Sequence, residues 1–392
     1  MTIPEIQTVC YVGAGTMGCY NALVAALAGY HATIFDVHAS ALDEVQATQA
    51  QFGAFLTNAG FCDEEGLARA RDRIRVETDL SVATANADLV SESIFERLDV
   101  KRTLHKQLDE LCPPHTIITT NTSALRVSDI EDVVDRGERF AALHSHLGSP
   151  LVDIVGGPRT SAETIDILRR YTESLGGVPL LLKKEHPGYV LNAMLGPLLS
   201  TALLIESRGS APVEDVDRAW MYFRRAPMGP FGMIDLFGIE LIHDSWQFRS
   251  VDPEMKDSQR RILGVLTPYL DRKELGIKSG KGFYSYPDPA YQADTFLEAA
   301  PSLQALHATL ASVVVANALH LANLGVADPQ QIDMAWKVGT HLDAGPFEIL
   351  DNMGADLFKD NLSKASAAGF IDTDRHRSAA QYLASNQKHE RS

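Results

Sequence analysis

The segment Val9-Cys10-Tyr11-Val12-Gly13-Ala14-Gly15-Thr16-Met17-Gly18 constrains this chain more than any other part of it, together with the small-residue helix to Ala28 and the following Ala32-Thr33-Ile34-Phe35-Asp36. An apolar strand runs straight into three spaced glycines, and a helix has to start among them. Gly13 permits the tight turn, Gly15 lets backbone approach a pyrophosphate, and Gly18 lets the helix lie close on a sheet. With Ala14, Thr16 and Met17 they turn the positive end of that helix toward phosphates. Asp36 ends the second strand about twenty residues on, where a carboxylate accepts both ribose hydroxyls and repels a 2'-phosphate. Glycines alone mark many ordinary turns. Strand, helix and terminal acid together point to a dinucleotide site that favours NAD over NADP.

At 392 residues the chain exceeds one ordinary core, so two or three domains are expected. A 45% hydrophobic content is that of a globular protein. No run of eighteen uncharged apolar residues is found, and Met1-Thr2-Ile3-Pro4-Glu5 leads into the first strand without a basic, apolar leader. A cytoplasmic protein is expected. Cys10, Cys19, Cys62 and Cys112 are isolated, which suits reduced thiols better than a disulfide frame or a zinc site. A net charge of -16 argues against nucleic acid and anionic membranes as partners.

Strand candidates at Asp88–Ile94, Thr116–Thr120, Phe140–His144 and Val178–Leu182 alternate with helical stretches such as Ala41–Leu56. That alternation predicts a doubly wound parallel sheet with helices on both faces, over residues 1–186. Beyond Pro187-Gly188 strands disappear, and helices such as Val190–Ser207 take over. An internal repeat divides this region. Displaced by 116 positions, Asp217-x-Ala219-Trp220 falls on Asp333-x-Ala335-Trp336, Gly229-Pro230-Phe231 on Gly345-Pro346-Phe347, and Asp235 on Asp351, without a gap. Duplication of a helical unit follows, with copies over 187–290 and 291–392. Both tryptophans read as core, since they follow the unit and not a site. Asn386–Ser392 reads as a frayed end.

With these motifs in order, the chain resembles the L-3-hydroxyacyl-CoA dehydrogenase family, in the form whose C-terminal domain occurs twice. The resemblance runs from about Gln7 to Tyr286. It rests on the glycine turn, Phe95-Glu96-Arg97-Leu98-Asp99-Val100-Lys101, Asn121-Thr122-Ser123, the His144 strand, Pro187-Gly188-Tyr189-Val190-Leu191-Asn192, Pro227-Met228-Gly229-Pro230-Phe231, and the glycine-rich segment around Lys278.

The resemblance implies oxidation of an alcohol in which His144 takes the hydroxyl proton while hydride leaves carbon for a nicotinamide ring. Imidazole suits both directions of such a reaction because it titrates near neutral pH. The family's acidic partner of this histidine is a Glu; here Asp153 stands at the matching place, about three residues nearer. Asn192 and Ser123 match positions that contact substrate near the reacting carbon, and Ser123 reads equally as a helix cap. Glu96, Lys101 and Lys278 match contacts on the nicotinamide side, with Asn121 in the same set. As isolated charges, Glu96, Lys101 and Lys278 would be ordinary surface residues. A lone histidine would more often be a satisfied strand-end residue than a base, but its place ahead of Asp153 favours catalysis. His146 shares a face with His144, so a metal pair is conceivable; with no further ligand cluster nearby, no metal is expected.

Two departures bear on the substrate. The family's Phe-Phe-Asn-Pro after the histidine is replaced by Ser145-His146-Leu147-Gly148, and residues 37–68, the arm after the second strand, hold no Lys or Arg. Arg69, Arg71, Arg73 and Arg75 could substitute for the missing cations, or form a solvated face. The expected function is NAD-dependent oxidation of the 3-hydroxyl of an L-3-hydroxyacyl-CoA, in fatty-acid-type metabolism. Oxidation of a CoA-free 3-hydroxy acid, as by related carnitine-type and sugar-acid dehydrogenases, is the alternative; an NAD-binding structural protein with little turnover is a second. The site is expected in a cleft between the sheet's carboxyl edge and the first helical copy. In single-copy relatives the helical domain pairs with a second subunit, so a monomer or weak homodimer is expected here.

Overall fold

The computed structural model describes residues 2–248, 251 and 253–389, with side chains described as far as 385. The chain forms two compact units, Met1–Tyr189 and Val190–Ser392. Both helical copies fall within the second of these units.

In the first unit, strands β1 (Thr8–Val12), β2 (His31–Phe35), β3 (Ile74–Glu77), β4 (Leu89–Glu92), β5 (Ile117–Thr120), β6 (Phe140–Ser145), β7 (Leu151–Gly156) and β8 (Val178–Leu181) make one sheet. Their order is β3-β2-β1-β4-β5-β6-β7-β8. Helices α1 (Thr16–Leu27), α2 (Ala39–Asp43), α3 (Val45–Asn58), α4 (Glu64–Arg71), α5 (Leu80–Thr84), α6 (Leu98–Leu111) and α7 (Ala162–Ser174) flank it. Alternate residues of β1 feed two cores: Val9 and Tyr11 join one with Ile34 and Leu143, Cys10 and Val12 the other with Val90 and Phe140. Burial on both faces explains why these strands read as unbroken apolar runs. Chain order reverses between β1 and β4, which opens the crevice where such sheets take ligands.

Two sequence expectations change here. The sheet is not wholly parallel, because β7 runs antiparallel to β6 and β8 follows the direction of β7. β7 carries a charged residue in its middle and had not been read as a strand. The helix expected over Ala41–Leu56 is divided at Glu44. The arginine run is also divided. Arg69 and Arg71 end α4, whereas Arg75 lies on β3 and donates from Nε to Oγ1 of Thr33 at 2.8 Å.

The second unit contains α8 (Leu191–Ser207), α9 (Val213–Arg224), α10 (Pro230–Phe237), α11 (Ile239–Gln247), α12 (Lys256–Asp271), α13 (Gln304–Leu324), α14 (Pro329–Thr340), α15 (Pro346–Met353), α16 (Ala355–Ala367) and α17 (Thr373–His389). The backbone is helical to His389 where fraying had been expected; residues 390–392 lie outside the described residues. A displacement of 116 carries α9 onto α14 and α10 onto α15 end for end. Even the left-handed stops coincide: Arg225 (φ 54) with His341 (φ 57), and Gly209 (φ 62) with Gly325 (φ 69).

The repeat is preserved because each copy uses one device. Asp217 accepts the backbone N–H of Phe231 at 2.8 Å and of Gly232 at 2.9 Å, closing the first turn of α10. Asp333 does the same for Phe347 and α15 at 2.8 Å. A Cβ on Gly229 would fall 2.3 Å from Cα of Asp217, and one on Gly345 would fall 2.3 Å from Cγ of Asp333, so each aspartate demands its glycine. Asp235 and Asp351 do not correspond in this way. Asp235 accepts the N–H groups of Phe283 and Tyr284 and the hydroxyl of Tyr286, holding the loop that carries Lys278, while Asp351 is exposed.

Trp220 and Trp336 are fully buried and meet edge-on, centroids 6.3 Å apart. Equivalent helices α8 and α13 pack together, which joins the copies into one core. Residues 300–324 are long and apolar enough, at mean hydropathy 1.5, to cross a membrane, contrary to the sequence expectation. The physical reason is internal: the middle of α13, residues 310–321, is mostly buried, with α8, α15, α16 and α17 packed on the helix, and a segment covered on most sides is apolar on most sides.

Candidate active site

Strand β6 ends at Ser145 and β7 returns beside it, so His144 and Asp153 stand opposite each other in the antiparallel register. Side chains so paired project from one face. Nδ1 of His144 lies 2.9 Å from Oδ2 of Asp153. Asp153 is fully buried; burial pushes its carboxyl up, but hydrogen bonds from His144 and His146 prevail and hold it below the usual range. An ionised carboxylate only accepts, so Nδ1 of His144 carries the proton and Nε2 keeps its lone pair. That is the state a general base needs. Burial pushes His144 below the ordinary imidazole range, against the opposing pull of Asp153.

His146 lies on the same face, and its Nε2–H donates to the same Oδ2 at 2.8 Å. Asp153, expected as the partner of His144 alone, thereby binds both histidines. Their donor atoms lie within 4.8 Å of one another, a set of the type a divalent cation takes. Both nitrogens aim at one carboxylate oxygen, so hydrogen bonds tie the three groups together. Tyr189 packs beside His144, its ring 5.0 Å from that of His144 and its hydroxyl donating to the carbonyl of Thr122 at 2.9 Å.

Two loops continue the site at the carboxyl ends of β4 and β5. Asn121 accepts the N–H of Ser145 through Oδ1 at 2.8 Å, which fixes the strand end just after His144. Glu96 accepts the hydroxyl of Thr122 and the N–H groups of Ser123 and Ala124, each N–H at 3.0 Å. Ser123 is thus held by its backbone, with its side chain exposed. Lys101 is no surface charge: it is fully buried, with Nζ 2.5 Å from Glu92 Oε1 and 3.3 Å from Glu96 Oε2.

Glu92 was missed in the sequence. It is fully buried at the end of β4 and accepts from Lys101, from Nε2–H of His105 at 3.1 Å and from Thr120 at 2.8 Å. Burial would raise its carboxyl, but His105 and Lys101 outweigh this and bring it to about 2. The signal was present: Lys101 and His105 stand four apart on α6, on the face toward an acid inside an apolar strand.

The dinucleotide cradle fits its cofactor. Gly13 (φ 110) passes so near β4 that a Cβ would lie 2.6 Å from the Ser93 carbonyl, and one on Gly18 would lie 1.8 Å from that of Gly13. A Cβ on Gly15 would meet nothing within 4 Å, leaving open space where phosphates approach. Helix α1 has no acid in its first turn and no side-chain cap at Gly15, so Thr16, Met17 and Gly18 offer their N–H groups outward. Asp36 accepts the N–H of Ala14 and of His38, both at 2.9 Å, which holds its carboxylate beside the glycine turn.

A cavity of about 290 Å³ lies in the same unit, bordered by Tyr20, Phe55, Phe61, His146, Pro150 and Tyr171; its lining contains no Lys, Arg, Asp or Glu. Of the remaining expected site residues, Asn192 stands half-buried in the first turn of α8. Lys278 stands exposed on a short turn, where its ammonium pairs with Glu240. Both belong to the helical unit.

Residues 8–185 match the 3-hydroxyacyl-CoA dehydrogenase NAD-binding domain, and residues 188–286 and 308–392 each match that family's C-terminal domain. Among curated proteins the chain is 33% identical over 295 residues to a probable 3-hydroxyacyl-CoA dehydrogenase of Caenorhabditis elegans, covering 72% of this chain and 94% of the relative. It is 32% identical over 293 residues to the mitochondrial hydroxyacyl-coenzyme A dehydrogenase of Rattus norvegicus, covering 72% and 91%. Among solved structures, a diketoreductase described as acting on dicarbonyl compounds is 33% identical, with TM-score 0.66, covering 72% of this chain and all of that one. The fold of an Escherichia coli 3-hydroxybutyryl-CoA dehydrogenase, 23% identical, extends over 97% of this chain and 99% of its own with TM-score 0.76. The cradle, the His144–Asp153 pair and the doubled helical domain thus stand in a chain that belongs to the NAD-dependent 3-hydroxyacyl-CoA dehydrogenase family.

Proposed function

We propose that this protein oxidises the 3-hydroxyl of an L-3-hydroxyacyl-CoA, with His144 as the general base, in fatty-acid-type metabolism. The observation that carries the reading is the bond from Nδ1–H of His144 to the ionised, buried Asp153, which leaves Nε2 free to take the hydroxyl proton. NAD, when bound, supplies the hydride acceptor. Asp153 then stabilises the imidazolium, Tyr189 limits the motion of the ring, and Asn121 holds the backbone at Ser145. Ser123 and Asn192 are the candidates for contact with the substrate oxygens.

A CoA-free 3-hydroxy acid is the second reading. It is favoured by the uncharged lining of the cavity beside His146 and by the lack of cations over residues 37–68. Among the four arginines that follow, Arg69 is already paired with Glu65 and Arg75 bonded to Thr33. The diketoreductase named above supports it too. Absorbance of NADH, followed with a short L-3-hydroxyacyl-CoA beside the free 3-hydroxy acid and carnitine, separates the readings. Preference for the thioester supports the first, and turnover of a free acid alone supports the second.

The reading includes a monomer or weak homodimer, supported by the pairing of α8 with α13 inside one chain. Sedimentation at micromolar concentration showing an obligate dimer would contradict it. It also includes a reducing compartment such as the cytoplasm, supported by four free cysteines.

A further inference from the structure

We propose that His146 is a positioning residue for the proton-transfer step, a second imidazole occupying the carboxylate oxygen on which His144 depends. The role of His144 as base rests on the proposed function above; the pairing of the two histidines does not. Their rings meet edge-on, centroids 4.5 Å apart at 78°, and each sends an N–H to Oδ2 of Asp153. The other oxygen, Oδ1, is buried without a hydrogen bond among the described residues, so Oδ2 serves both rings.

This arrangement has a chemical consequence. An acceptor shared by two donors lends less negative charge to either of them, so Asp153 supports a proton on His144 less strongly than it would alone. The His146 ring beside it also disfavours a proton on His144. Other charged or titratable groups facing them are few. Tyr189 packs on His144 but spends its hydroxyl on Thr122, and Glu96 is the other carboxylate whose field reaches His144. On the cavity side of His146 stand Tyr11, Tyr20 and Tyr171. Nothing cationic in that lining could take the place of His146. The second imidazole keeps Nε2 of His144 unprotonated, and therefore competent as a base, at lower pH than a simple His–Asp pair would allow.

The test is an NMR titration of the His144 ring in the full-length, substrate-free protein and in His146→Gln and His146→Ala. The His144 midpoint should rise by about one pH unit in the alanine variant and by less in the glutamine variant, whose amide still donates to Asp153. The acid limb of kcat/KM should move upward with it in both variants. A His144 midpoint unmoved in both variants, or in the glutamine variant if alanine does not fold, overturns the proposal. So does a fall in kcat at every pH without movement of the limb, which is the mark of a structural role alone. Because the titration needs no substrate, a shifted midpoint in a protein that oxidises no 3-hydroxy compound would uphold the pairing and contradict the function.

Discussion

Asp153 faces His144 directly across the β6–β7 ladder, and one hydrogen bond of 2.9 Å fixes both the tautomer and the direction of the ring. Asp153→Asn preserves the shape and removes the charge. The amide would no longer stabilise an imidazolium, and kcat should fall by roughly 10²–10⁴. NAD affinity, measured by fluorescence titration, should be unchanged. A variant retaining more than a tenth of the rate would show that the pair is not the catalytic unit.

Burial holds His144 below the ordinary imidazole range, and the sign of two pH effects follows. Oxidation requires the neutral ring, so kcat/KM should rise with pH along an acid limb whose midpoint lies below about 6.5. In the same window the unfolded chain binds the extra proton more readily. The stability contributed by neutral His144 is therefore present above about pH 6.5 and lost as pH falls through the folded value. An acid limb centred above 6.5 would count against the buried, neutral base.

The two copies of the aspartate device should differ in weight. Asp217 is fully buried and accepts two backbone N–H groups and the Tyr284 hydroxyl, and its Ala variant strands all three. A loss of about 2–4 kcal/mol is expected. Asp333 is nearer the surface, and Asp333→Ala should cost about 1–2 kcal/mol. Urea unfolding of both variants checks the order, and equal losses would contradict it.

Gly15 and Gly18 separate cofactor binding from folding. Alanine at Gly15 enters open space and leaves stability within about 0.5 kcal/mol, while obstructing the approach of phosphates. NAD affinity should fall at least about tenfold. Alanine at Gly18 collides with the Gly13 carbonyl and should lower Tm as well as affinity. Thermal unfolding without cofactor distinguishes the two.

Local signals made the first half of the site readable. The glycine turn and Asp36 depend on short spacings, where residue type and position carry the chemistry, and Asp153 was placed beside His144 by the family resemblance. The copies were readable because Asp217 and Asp333 each demand a glycine at a fixed offset, and the buried Trp220 and Trp336 repeat at the same spacing. What escaped depended on long-range pairing. The reversal of β7 is set by its partner β6, and the run from Leu151 to Gly156 does not say which way it will lie. Glu92 and Lys101 look like unrelated charges until β4 and α6 pack, and His146 draws its meaning from an oxygen seven residues away. The extra burial of α13 arises from the neighbours that the duplication supplies.

The most direct test of the account is His144→Ala, assayed for NADH formation with the preferred 3-hydroxy substrate and for NAD binding in the same preparation. Loss of at least about 10³-fold in kcat with unchanged NAD affinity is the predicted result. Turnover surviving within tenfold of the unaltered enzyme would show that another group takes the proton, and that His144 is a buried strand-end histidine.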